Sequence, residues 1–174
     1  DLENKGYKNE KLKELSENIN KNEGQILGEV KVNLSDFLDL TLQVNNFKGS
    51  SMASSGEDIF IFDKDKKVVV KVNIKNKNAK IVASEDKVGN TIGIASYLDK
   101  LFLNKDDGIY QVEGTTKKVI ERDWNDTNLL YFYAANAYLV DKDENEIYRF
   151  AGSNNSFGNK ISWLAPGIDM DLSK

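Results

Sequence analysis

An all-β architecture, built from about three repeated sheet units behind one short helix, is what this sequence predicts. Three observations carry it. Apolar and polar residues alternate with the period of a strand from residue 28 onward. A strand–turn–strand unit recurs three times along the chain, and helical spacing is confined to the first 27 residues. At 174 residues the chain is long enough to bury a core.

Taken in order, residues 7–22 (YKNEKLKELSENINKN) place Leu12, Leu15 and Ile19 on one helical face among charges, with Gly24 as the expected stop. This marks residues 1–27 as a helical lead-in and 28–174 as the repeat region. Alternation in GEVKVNL and DLTLQVN predicts strands there. The recurring unit is Asp58–Val72, then Asp99–Val112, then Asn136–Phe150, each an apolar strand, a short Asp-rich turn and a second strand. Phe60, Phe102 and Tyr138 align at intervals of 42 and 36 residues, and Val70, Tyr110 and Tyr148 at 40 and 38. A third strand follows each hairpin, in AKIVAS, KKVIER and ISWLAP. IASYL and LLYFYAA precede the second and third hairpins as innermost strands, and LTLQV with the SSMAS stretch does the same for the first.

A period near 40 residues with three or four strands per unit is the pattern of β-propeller blades, here spanning about 34–88, 89–126 and 127–174. Such a blade buries its two faces only by stacking on neighbours. A β-sandwich also yields look-alike hairpins, but it does not call for a third strand in step with each one. Three blades are fewer than a closed ring needs. The expectations are therefore a segment of a longer propeller, an open arc, or a homodimer in which two half-propellers complete a ring.

Composition removes whole classes of chemistry. The chain has no Cys and no His, so disulfides and serine–histidine or cysteine–histidine nucleophiles are excluded, and the commonest zinc ligands are missing. The net charge of -4, with Lys and Asp/Glu interleaved, offers no basic face for nucleic acid. No apolar run approaches the roughly 20 residues of a membrane-spanning helix. VEGTTKK shares a Gly and a Lys with a phosphate-binding loop but lacks its spacing.

What remains is carboxylates and rings. Asp141, Asp143 and Asn145 match the first three ligand positions of a calcium loop, which makes Ca2+ the only cofactor candidate. The loop fails at Glu146, where Gly is required, and at Gly152, where a bidentate Glu belongs. Asp and Asn also form tight turns through their own side chains, which is the better reading. Asp123 and Asp126 flank Trp124, and Asp169 and Asp171 follow Trp163. Acids beside Trp suit a carboxylate glycosidase or a glycan site, although 28 acidic residues make adjacency common. Tyr131, Phe132 and Tyr133 put rings on both faces of one strand, as an inner strand packed between two blades requires. Phe157 sits in the polar stretch GSNNSFGNK (152–160), one of three expected binding loops with 50–58 and 122–128. Pro166, the single Pro, is expected to end the outer strand.

The stretches GEDIFIFDKDKKVVVKVNIKN, DDGIYQV, KVIERDW and above all IYRFAGSNNSFGNKISWLAPG resemble a group of bacterial propeller proteins of unsettled function, over about residues 34–174. Their blade pattern is shared with NHL-type and pyrroloquinoline-quinone-type propellers. The resemblance implies a propeller after a helical, often membrane-anchored lead-in, and hence an extracytoplasmic or membrane-associated location with any anchor outside this chain. It brings no catalytic residues. The function expected is non-catalytic binding of a protein partner at the bacterial envelope. The alternatives are a carbohydrate-active propeller and a calcium-stabilised structural module.

Overall fold

The computed structural model describes residues 9–29, 32–125, 129–153, 156–168 and 170–172. The chain divides into two compact units, Asp1–Phe37 and Leu38–Lys174.

The first unit holds helix α1 (Glu10–Leu27). Asn9 caps its start, its Oδ1 accepting from the Leu12 N–H at 2.8 Å. Gly24, the expected stop, lies inside the helix, because an internal Gly costs only about 1 kcal/mol. Termination falls instead at Gly28, whose φ of 69° closes the last turn. Leu15, Ile19, Ile26 and Leu27 are all exposed. No helix among the described residues is long and apolar enough to cross a membrane.

The second unit is β. Sheet 1 comprises β1 (Ser51–Ser55), β2 (Asp58–Asp63), β3 (Val68–Asn73) and β4 (Ala79–Ala83). A single helical turn, α2 (Glu85–Val88), leads to sheet 2, made of β5 (Thr91–Tyr97), β6 (Lys100–Lys105), β7 (Gly108–Glu113) and β8 (Thr115–Glu121). Sheet 3 comprises β9 (Leu129–Tyr133), β10 (Asn136–Asp141), β11 (Glu146–Ser153) and β12 (Ser156–Ser162). Each is a four-stranded antiparallel meander in chain order. The three predicted hairpins are β2–β3, β6–β7 and β10–β11, and the predicted alignment holds in the register. Phe60, Phe102 and Tyr138 each stand three residues before the last pair of their hairpin, Asp63↔Val68, Lys105↔Gly108 and Asp141↔Glu146.

The sheets stack in chain order, with β1 beside β5 and β5 beside β9. Between sheets 1 and 2 lie Phe60, Phe62, Val69, Ile94, Leu101 and Leu103. Between sheets 2 and 3 lie Ala95, Phe102, Ile109, Phe132, Leu139 and Phe150. Phe102 and Phe132 stack there with centroids 4.2 Å apart. Sheet 2 is thus covered on both faces, as unbroken burial along Leu101–Asn104 requires.

Several expectations give way. Neither GEVKVNL nor DLTLQVN forms a strand among its described residues. Leu40–Leu42 is a 3-10 turn, because the Asp39 carboxylate accepts from both the N–H (2.9 Å) and the hydroxyl (2.7 Å) of Thr41, a local bond that competes with a ladder. Those bonds hold the Asp39 carboxyl below its ordinary range. The inner strand of sheet 1 is SMASS (Ser51–Ser55) alone, so the expected loop 50–58 shrinks to the turn at Gly56–Glu57. The expected loop 152–160 is mostly ladder, since β11 and β12 run to Ser153 and from Ser156, with a register shift between Phe150 and Gly152. A Cβ on Gly152 would lie 2.1 Å from the Ala135 carbonyl oxygen, so only Gly admits this irregularity.

Candidate functional site

The Asp-rich turns are built around one register position. Asp63, which ends β2, is buried and accepts from the Lys66 N–H (2.9 Å) in its own turn and from the Lys48 N–H (2.6 Å) in the segment that feeds β1. Asp141, which ends β10, is buried in the same way. It accepts from the N–H groups of Asp143 and Glu144 (3.2 Å each) and from Asn125 (2.8 Å), just ahead of β9. The matching residue in sheet 2 is Lys105. Its ammonium donates to the Lys87 carbonyl (2.6 Å), in the segment feeding β5. Each unit therefore pins its inner strand to its hairpin at the same point, twice through an anion on an N–H and once through a cation on a carbonyl.

This defines what the calcium-like residues do. Asp141 spends both oxygens on backbone donors, Asp143 is exposed, and Asn145 takes a φ of 53° in the turn. The Asn145 Oδ1 accepts from the Leu172 N–H at 2.8 Å. Among the described residues no three acidic side chains gather closely enough to hold a metal.

Beside Asp141 lies a polar cavity of about 340 Å³, lined by Asp123, Trp124, Asn125, Asp141, Glu144, Tyr148 and Lys160. Three sequence candidates, Asp123, Trp124 and Asp141, meet here, while Asp126 lies outside the described residues. The Lys160 ammonium sits 3.3 Å from the Asp123 carboxylate and 4.4 Å from the Tyr148 ring centroid. The Asn125 amide donates to Glu144 at 2.5 Å. Burial raises the Tyr148 phenol above its ordinary value, and the carboxylates of Asp141 and Glu144 add to the shift. Arg122, at the start of the expected loop 122–128, shapes it. Its guanidinium donates to the carbonyls of Trp124 (3.0 Å), Asp106 (2.6 Å) and Asn125. The Trp124 ring is buried and edge-on to Phe150, with centroids 6.1 Å apart, so it gives no open face on which a sugar could stack.

The other ring candidates lie elsewhere. Phe157 packs edge-on against Phe102 and Phe132 in the layer between sheets 2 and 3, beside a cavity of about 230 Å³. Trp163 meets Tyr138 edge-on at 5.8 Å on the opposite face of sheet 3. Asp169, one of the acids expected beside Trp163, lies outside the described residues.

That opposite face is partly exposed. In β9, Phe132 points into the core, whereas Tyr131 and Tyr133 are 64% and 67% exposed, so rings on the two faces of this strand are not both packed as expected. Cross-strand pairing sets Tyr131, Tyr138, Arg149 and Ile161 in one row, and Leu129, Val140 and Ile147 in the next. Glu146 anchors the edge. Its carboxylate accepts from the Ser162 hydroxyl and from the Ile147 and Leu164 N–H groups, which fixes the chain on either side of Trp163. Burial pushes that carboxyl up, but these bonds outweigh it and hold it below its usual range.

In comparisons with known proteins, neither a family model nor a curated protein matches this chain.

Proposed function

We propose that this chain is a non-catalytic scaffold of propeller-type blades that binds a protein partner through the partly exposed face of sheet 3. The observation that carries the reading is a substitution within the repeat. The inner-strand residue opposite Phe60 is Ala53, and opposite Phe102 it is Ala95. Both Phe rings are buried under the next sheet. Opposite Tyr138 the equivalent residue is Tyr131, which is exposed, while Tyr138 itself is half-buried. Small residues let two sheets approach to about 10 Å. Tyr at that position suits a surface that seats a partner, because Tyr, Trp and Arg dominate the energetic centres of protein interfaces. Tyr131, Tyr133, Tyr138, Trp163 and Arg149 share this face.

The resemblance to bacterial propeller proteins, often membrane-anchored, supports a site of action at the envelope. The carbohydrate-active and calcium-dependent alternatives have less behind them, since the Trp124 ring is packed away and the Asp141 oxygens serve the fold.

A photo-crosslinking amino acid placed in turn at Tyr131, Tyr133 and the turn residue Asp65, in cells that make the protein, tests the reading. The expected result is a discrete adduct from the two sheet-3 positions and none from Asp65. Equal adducts from all three positions, or none from Tyr131 and Tyr133, would sink it.

A further inference from the structure

A further concave surface shares no residue with the two cavities described above. The innermost strands β1, β5 and β9 stand side by side and together line a cavity of about 630 Å³, a size typical of binding clefts. Consecutive residues of each strand line it (50–54, 92–96 and 129–132), so backbone edges rather than one side-chain face run along its floor. Each of the three is an edge strand of its sheet among the described strands. Its ladder partner lies on one side only, and every second residue turns its N–H and C=O away from that partner.

The lining suits the approach of another backbone. Gly93 sits where the register of β5 against β6 shifts, between Thr91 and Gly93. A Gly at such an irregularity marks a place where a second chain can come close. Two other lining residues, Ser51 and Ser96, hold buried hydroxyls with no hydrogen-bond partner among the described residues. Buried hydroxyls are ordinarily paired, so these leave hydrogen-bonding capacity in the wall. Charged residues make up 30% of the chain, yet none of the described residues lining this cavity is charged. A charged occupant would lose hydration here and gain no counter-charge. Met52, Ile92 and Leu129 add exposed apolar side chains.

From the three strand edges and the uncharged lining, we infer that this cavity binds an extended, uncharged peptide segment by strand addition along β5, the edge with β1 and β9 on either side. A strand edge is matched by another backbone, which carries donors and acceptors in the same alternation. About five residues of extended chain span ~17 Å, which is the reach of β1 and β9 at five residues each. A neutral oligosaccharide also has donors and acceptors, but it has no repeat in step with a strand. The site meets the exposed face of sheet 3 only at Leu129 and Tyr131, and it is a second site beyond the one proposed there.

Panning a display library of random heptapeptides on the purified chain tests it, with fluorescence anisotropy on the enriched peptides made synthetically. The expected binders carry a run of about five residues free of Asp, Glu, Lys and Arg. Ser54→Lys and Ile92→Lys, which set a charge on the cavity wall, should each weaken binding at least about tenfold. Both positions are exposed, so these variants should keep the wild-type far-ultraviolet spectrum, which separates loss of binding from loss of fold. Tyr133→Ala, on the sheet 3 face and outside the cavity, should leave binding unchanged, which separates this site from that face. N-methylation of the peptide backbone reads the pairing directly. Methyl groups on one alternate set of amides should abolish binding and on the other set leave it, because a strand pairs through every second residue. The inference is overturned by a library that yields no binder, by binders rich in charge, by binding indifferent to both Lys variants, or by equal tolerance of the two methylated sets. Cellopentaose bound in place of any peptide, and lost in Ser54→Lys, overturns it in favour of a glycan.

Discussion

The Asp141 carboxylate accepts a hydrogen bond from the Asn125 N–H at 2.8 Å, joining the end of β10 to the segment that starts β9 sixteen residues earlier. The same oxygen pair holds the Asp143 and Glu144 N–H groups in the turn. A buried carboxylate with backbone donors on both oxygens is compensated, and removing it orphans the donors it serves.

Asp141→Ala should therefore cost about 2–4 kcal/mol of unfolding free energy, measured by urea denaturation. Asp143→Ala, at an exposed turn position, should stay within about 0.5 kcal/mol of wild type. Calcium followed by a chelator should leave the melting temperature of the wild type unmoved. A melt that rises with calcium and is lost in Asp143→Ala would return the turn to metal binding.

At Lys105 the same junction runs with the opposite sign, the ammonium donating to the Lys87 carbonyl at 2.6 Å. Lys105→Asp restores the residue found in the other two units, yet it should destabilise by about 1–3 kcal/mol, because it sets a carboxylate against a carbonyl. Lys105→Met should cost about 1 kcal/mol, the net worth of one such bond. If Lys105→Asp proves neutral or stabilising, the register equivalence carries no energetic consequence and the junction is incidental.

Stability should respond to acid in one direction. Hydrogen bonds from Lys118 and Tyr110 hold the Asp107 carboxyl below its usual range. For Asp58 burial pushes up, but the hydrogen bonds from Lys71 and Asn73 outweigh it. Glu146 behaves likewise through Ser162 and the Ile147 N–H. Since each folded-state value lies below the unfolded one, the contribution is complete above the ordinary carboxyl range of about 4 and drains away as pH falls through the folded values. With no His in the chain, the melting temperature should be nearly flat between about pH 6 and 8 and fall below about 4. A clear slope between pH 6 and 8 would contradict this. In Glu146→Gln the acid-side loss should shrink, and Trp163, no longer fixed at the sheet edge, should change its fluorescence.

The three hairpins were legible in the residues because side-chain alternation and turn chemistry are local, and the alignment of Phe60 with Phe102 and Tyr138 survives in the register. The position of the first inner strand was not legible. LTLQV alternates as well as any strand, but Asp39 and Thr41 close a turn on it, and SMASS, with little apolar pattern, takes the ladder because β2 and β5 stand beside it. The loop 152–160 was misjudged for a related reason. Gly152 reads as a loop residue in isolation, whereas in the sheet it is the only side chain small enough to pass the Ala135 carbonyl.

By itself the sequence determined the three hairpins, the mainly β character of residues after the first helix and the absence of His- or Cys-based chemistry, since these follow from composition and from interactions a few residues long. Only the tertiary structure decided which faces are covered. Asp141 is a buried junction rather than an open ligand, Phe102 is core, and Tyr131 is surface, because burial depends on whether another sheet lies within about 10 Å and strand periodicity carries no record of that.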